Sequence, residues 1–248
     1  LTVGSVFGLA GVVIGICLQS NVSLAISILL GLLTGVLVGA LNGLAITKIG
    51  LPPFIVTLSL MNITRGMAQG FTSGSPIKIP DSLKALAIGD FIGIPYTVCY
   101  MIVLAVIFSL ILSKTVFGRQ VYALGGNEDA ARLSGLNTTK LKVFVYAISG
   151  FLAAFAGIMT TARLGVAQSA NGDGYEMDVI ASVVIGGTSM TGGKGTIIGS
   201  LIGAVIMGVL RNGLVMLDVN AYWQKVVIGS VIMGAVTMDM LRNKKSGK

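Results

Sequence analysis

The sequence predicts an all-α fold, a polytopic bundle of transmembrane helices with one broken, short helix and a helix outside the bilayer. Composition points there first: of 248 residues, 54% are hydrophobic and only 10% charged, against about 25% charged in soluble domains. Mean hydropathy is +0.92. Several apolar stretches reach the roughly 20 residues that a helix needs to cross a hydrocarbon core about 30 Å thick. The third observation is that the charges gather in a few segments between those stretches.

In chain order the apolar spans lie at about 3–18, 23–46, 54–72, 97–113, 143–162, 179–190, 197–217 and 222–241, each bounded by turn residues or charge. All but the first and sixth are long enough to cross unaided. The sixth would rise only about 18 Å at about 1.5 Å per residue, so it is expected to be a short or broken helix sheltered by protein. Between the fourth and fifth spans, segment 114–142 carries Lys114, Arg119, Arg132, Lys140 and Lys142, which makes it cytoplasmic by the positive-inside rule. Segment 73–96 then lies outside, and Lys48 with Pro52 and Pro53 inside. The basic tail from Arg242 to Lys248 is cytoplasmic by the same rule only if 179–190 counts as a crossing. The organisation expected is one transmembrane domain over 1–248, with 114–142 as a cytoplasmic loop within it. The chain opens at Leu1 without the basic flank and apolar run of a signal peptide, and is expected to be a piece whose upstream helices are missing.

Several function classes fall away. The net charge of +8 is spread over several interhelical segments rather than set on one soluble face, so it reads as topology rather than as a nucleic-acid surface. Two cysteines, Cys17 and Cys99, suggest neither a disulfide framework nor a metal site. With no histidine, the commonest general base and metal ligand is missing. The stretch Gly186 to Gly195, GGTSMTGGKG, invites comparison with a phosphate-binding G-x-x-x-x-G-K-[ST] loop. Aligned on Lys194, however, Thr188 replaces the first glycine and Gly195 the final hydroxyl. These glycines, Gly186, Gly187, Gly192, Gly193 and Gly195, are instead expected to form a hinge or gate between a half-helix and the next span, with Lys194 as a cytoplasmic-side anchor.

Gly31, Gly35, Gly39 and Gly43 recur every four residues, on nearly one face of a helix. Gly4/Gly8, Gly11/Gly15 and Gly199/Gly203 repeat the spacing. Small residues at this interval let a neighbouring backbone approach closely. Within the polar loop, 127–137 reads as a short helix with Asn127 as N-cap, Glu128 and Asp129 at the positive end of the dipole, and Gly135 as terminator. A helix this short needs something to dock on, its own bundle or a partner.

The runs GRQVYALGGNEDAARLSGLNTTKLK, YAISGFLAAFAGIM and GYEMDVIASVVIGGTSMTGGKGTIIGSLIGA resemble the membrane permease subunit of bacterial ABC importers of the ribose, galactose, arabinose and xylose type, with the related autoinducer-2 and branched-chain amino acid permeases. LTVGSVFGLAG looks like that family's DLSVGS segment with its first residue missing. The resemblance covers the whole chain. It implies a permease in the bacterial cytoplasmic membrane, moving a ribose-like monosaccharide or related solute by alternating access. Segment Gly125 to Asn137 matches the loop whose helix docks on the cytoplasmic ATPase, with Gly126, Glu128, Ala130 and Gly135 at matching positions and Asn127 and Arg132 beside them. ATP is expected on that partner, and no cofactor on this chain. Further partners implied are an extracytoplasmic solute-binding protein, a second permease copy or paralogue, and membrane lipid.

Intramembrane polar residues are costly, and so mark candidate pathway positions: Asn42, Asn62, Arg65 and Gln69. For Arg65 a side chain snorkelling to the interface is the alternative. Asp173, Glu176 and Asp178, beside Tyr175, read either as a docking surface or as a helix-start cap, and Trp223 as an interface anchor. An ion-coupled secondary transporter is the competing function, but it calls for a mid-span acid, and only Asp239, near a span's end, lies inside one.

Overall fold

The computed structural model describes residues 1–246; Gly247, Lys248 and the side chains of 221 and 238–246, among them Asp239 and the basic tail from Arg242, lie outside the described part. Helices dominate, in the order α1 (Val3–Gln19), α2 (Leu24–Leu44), which runs on as a π-helical turn (Ala45–Ile49), α3 (Pro53–Thr72), α4 (Asp81–Lys84), α5 (Tyr96–Lys114), α6 (Val116–Gly126), α7 (Glu128–Leu133), α8 (Thr138–Leu164), α9 (Tyr175–Ile185), α10 (Ile197–Met216) and α11 (Ala221–Ser246). Four two-residue strands accompany them: β1 (Ile77–Lys78), β2 (Asp90–Phe91), β3 (Ile94–Pro95) and β4 (Val166–Ala167). Among the described residues, four helices are long and apolar enough to cross a membrane: Leu24–Ile49, Tyr96–Lys114, Thr138–Leu164 and Ile197–Met216. α3 has the length, 20 residues, but its polar side chains make it less apolar than these four.

The chain divides into two compact units, Leu1–Ile102 with Thr139–Glu176, and Val103–Thr138 with the residues from Met177 onward. In the first, α1 is enclosed. Every residue from Gly4 to Val12 is buried, as are Ile14 and Gly15. Helices α2 and α3 pack along it, and α8 meets it where Gly11 faces Thr161 and Gly157 faces the Phe7 carbonyl.

The glycine stripe of α2 does what its spacing predicts. A Cβ on Gly35 would collide with the Gly150 carbonyl, one on Gly39 with the Tyr146 carbonyl, and one on Gly43 would lie 2.6 Å from the Val143 Cα. As residue numbers rise along α2 they fall along α8, so the two helices run antiparallel in backbone contact. The opposite face of α2 presents Ile26, Leu29, Leu33, Leu37 and Leu41, all exposed, the composition of a lipid-facing surface.

One pairing in this unit has no signature in the apolar periodicity. β1 pairs antiparallel with β4, placing Ile77 opposite Ala167 and Lys78 opposite Val166, and Gly15 on α1 abuts Ala167 and Ile77. The Pro- and Gly-punctuated segment 73–96 is thus tied down rather than loose. Within it Lys84 donates to Asp81 at 2.8 Å, and this hydrogen bond, with the ammonium charge, holds the Asp81 carboxyl below its ordinary range.

In the second unit, Ala181, Met207 and Ile228 form a small core between α9, α10 and α11. Close approach by glycine recurs here too. A Cβ on Gly203 would strike the Ser182 carbonyl, and Gly186 and Gly199 face each other with no room for one. The polar loop differs from its sequence reading in two ways. An additional helix, α6, precedes the expected one, and α7 ends at Leu133 rather than near 137. Gly135, at φ +83°, takes the left-handed conformation that stops a helix.

Candidate functional site

α7 is built as its sequence dictates. Asn127 leaves the helical region, at φ −158°, and its Oδ1 accepts a hydrogen bond from Ala130 N at 2.9 Å, satisfying one of the donors that every helix start leaves open. Glu128 and Asp129 occupy the first turn, and Arg132 pairs with Asp129 one turn back. Ala131 is buried, whereas Leu133 is 88% exposed. A six-residue helix is far too short to persist on propensity alone. Here the cap holds one end, the αL glycine the other, and a large apolar side chain is left projecting into open space.

Immediately before α7, the end of α6 is in backbone contact with the glycine-rich stretch. A Cβ on Gly125 would lie 2.6 Å from Gly193 N, and one on Gly193 2.8 Å from the Gly126 Cα. Tyr122 donates its hydroxyl hydrogen to the Gly195 carbonyl at 2.7 Å. The stretch itself is not helical: Gly187, Gly192 and Gly193 have φ of +84°, +90° and +73°, and Ser189 N donates to the Lys194 carbonyl at 3.0 Å. α9 therefore ends at Ile185 and α10 begins at Ile197, where the Thr196 side chain accepts from Gly199 N. The break expected at Gly186 to Gly195, between a half-helix and the next span, lies there, and its glycines sit against the two glycines that lead into α7. That adjacency could not be read from spacing.

The four candidate pathway residues separate. Asn42 is fully buried, donating to Thr2 Oγ1 at 3.1 Å and to the Val38 carbonyl at 3.2 Å. Arg65 is clasped: its Nη1 donates to the carbonyls of Ser169 and Asn171, at 2.9 and 3.0 Å, and its Nη2 lies 3.6 Å from Glu176 and 3.8 Å from Asp173. Its side chain is 16% exposed, so protein rather than an aqueous interface holds the charge. Glu176 is buried beneath Gly4 of α1, a partner that the acidic cluster's sequence reading missed. The usable signal was that an arginine within an apolar helix demands a counter-charge, and Asp173 and Glu176 flank the start of α9. Asp178 pairs separately, with Arg211 at 2.8 Å. Asn62 and Gln69 lie exposed on the face of α3 turned away from α1, whereas Thr64, on the buried face, donates to Ser5 Oγ at 2.7 Å.

Residues 1–236 match the family model described as branched-chain amino acid transport system / permease component. The chain belongs to that family. It is 45% identical to the ribose import permease protein RbsC of Bacillus subtilis over 242 residues, covering 96% of this chain and 75% of the relative. It is 40% identical to the probable ABC transporter permease protein YphD of Escherichia coli, covering 100% of this chain and 75% of that one. The L-arabinose transport system permease protein AraH of Escherichia coli is 38% identical, with 98% and 75% covered. No solved structure matches. The chain is a transport component rather than an enzyme, and a multi-pass membrane protein.

Proposed function

We propose that this chain forms the translocation pathway of an ATP-binding cassette importer for a ribose-like monosaccharide, working by alternating access with a cytoplasmic ATPase and an extracytoplasmic binding protein. The observation that carries this reading is α7: a capped, glycine-terminated helix with Leu133 projecting, in a chain matched along its length by sugar import permeases. In this reading Gly126, Asn127, Glu128, Ala130, Arg132 and Gly135 form the coupling element, and ATP is bound by the partner alone. The loop 114–142 and the C-terminus are cytoplasmic, and two permease copies, or a copy and a paralogue, share the pathway. Gly186, Gly187, Gly192, Gly193 and Gly195 act as the hinge: displacement of α7 reaches them through Gly125 and Gly126, because backbones in contact move together.

Co-purification of the permease with its ATPase, followed by solute uptake in proteoliposomes, tests the coupling element. Gly135→Asp and Glu128→Lys are expected to abolish ATPase capture or ATP-driven uptake while leaving the permease folded. Unchanged capture and unchanged uptake in both variants sink the assignment.

A further inference from the structure

Helix α3 buries Thr57, Thr64, Ala68 and Thr72, and at about 100° per residue these positions share one side of the helix. On the other side, Ser59, Asn62, Gly66, Gln69 and Gly70 are all exposed and fall within an arc of about 100°, which takes in Ile55 at the start of the helix and is bordered on one edge by exposed Ile63 and Met67. A Cβ added to Gly66 or Gly70 would meet nothing within 4 Å. The contrast with the outer face of α2 in the same unit, an unbroken run of isoleucine and leucine, is one of chemistry and not of exposure. Neither the Asn62 nor the Gln69 amide has a hydrogen-bond partner among the described residues.

Leaving an unpartnered amide against hydrocarbon costs about 2–7 kcal/mol, depending on the reference state, and two such groups would approach the net stability of a whole domain, about 5–15 kcal/mol. This face therefore does not look onto acyl chains. Tight helix packing does not suit it either, because two long amides stand on either side of the glycines. Asn62 and Gln69 are seven residues apart, about 10 Å along the axis, with Gly66 clearing the space between them. Each amide offers both donors and acceptors, and no charged side chain lies in the stripe. Such a surface fits an uncharged, hydroxyl-rich molecule carried in water.

We infer that Ser59, Asn62, Gly66, Gln69 and Gly70 form the wet wall of α3 along which the solute passes, with the Asn62 and Gln69 amides exchanging hydrogen bonds with its hydroxyls. The inference rests on the importer reading, and it replaces Asn42 and Arg65, which are held inside the bundle by the hydrogen bonds of the Asn42 amide N–H and the Arg65 Nη1, with positions that face open space.

The test is a cysteine scan in the full transporter with Cys17 and Cys99 replaced by serine. Each stripe position is changed to cysteine, with Leu33→Cys and Leu37→Cys on α2 as lipid-facing controls, and labelled with a charged methanethiosulfonate, which reacts with thiolate and so requires water. Stripe positions are expected to react at least tenfold faster than the α2 controls, and D-ribose or L-arabinose to slow their reaction. Rates no faster than the controls overturn the proposal. So does oxidative cross-linking between copies at Gly66→Cys or Gly70→Cys with no labelling, which would make the face a helix contact. Asn62→Leu and Gln69→Leu should each cut uptake at least tenfold with ATPase capture intact, and undiminished uptake in both removes the solute contact. Labelling needs no transport, so failure of the importer reading, seen as no uptake of either sugar by the unaltered protein, is scored separately.

Discussion

Replacing Arg65 with methionine tests the buried charged junction between α3 and the residues around the start of α9. The guanidinium gives two charge-assisted hydrogen bonds, to the carbonyls of Ser169 and Asn171, each worth about 1.5–3 kcal/mol. It also faces Glu176, which is only 7% exposed. Removing one partner of a buried pair leaves the other charge uncompensated, at a cost of about 3–5 kcal/mol. The two estimates describe overlapping losses, so they do not add, and both point to about 3–5 kcal/mol for Arg65→Met. Asp173 contributes little to this figure, since its side chain is 84% exposed and water screens it.

Heat inactivation of the complete permease in detergent, followed by size-exclusion chromatography, reads the effect as a rate. At about 1.4 kcal/mol per tenfold, the half-life at fixed temperature should shorten by roughly a hundredfold to a few thousandfold if the loss falls on the native state. Adding Glu176→Gln to Arg65→Met removes the stranded charge, and should recover part of that loss. A shortening of less than threefold in the single variant, or a double variant no better than the single, refutes the clasp as the junction holding α3 to the segment before α9.

The glycine contacts predict a matched contrast. Gly35→Leu and Gly39→Leu drive side chains into the Gly150 and Tyr146 carbonyls and should lower stability by at least the 1–3 kcal/mol typical of overpacking, while Gly66→Leu should leave the same thermal readout unchanged; equal effects at all three would undo the close-packing account. Tyr122→Phe removes the hydrogen bond to Gly195, worth about 0.5–1.5 kcal/mol. In the hinge reading it lowers ATP-driven uptake more than ATPase capture, and a proportionate fall in both would count against transmission through this contact.

Much of the architecture was legible because its signals are local. Apolar runs set the helices, the four-residue glycine repeat marked a packed face on α2, and Asn127 and Gly135 bracketed α7 through cap chemistry that depends only on neighbours in sequence. What stayed hidden was partnership. Arg65 meets carbonyls 104 and 106 residues away, β1 finds β4 across nearly ninety positions, and Gly125 meets Gly193 through backbone alone. No periodicity encodes a contact that side chains do not make.

α1 and α2 sharpen the point. Both are apolar all round, yet α1 is enclosed and α2 turns a leucine face outward. In water that difference would be written as polar residues on the exposed side. In a bilayer the exposed side is also apolar, so hydropathy cannot separate a central helix from a peripheral one. The polar residues carry the information instead, and they mean the opposite of what they mean in a soluble domain. There they mark the ordinary surface. Here each must find protein, as the Asn42 amide N–H and the Arg65 Nη1 do, or water. Asn62 and Gln69 have no hydrogen-bond partner among the described residues, so in the reading proposed above it is the unpaired polar stripe of α3, not the hydrophobic pattern around it, that marks where the bundle opens to a solute.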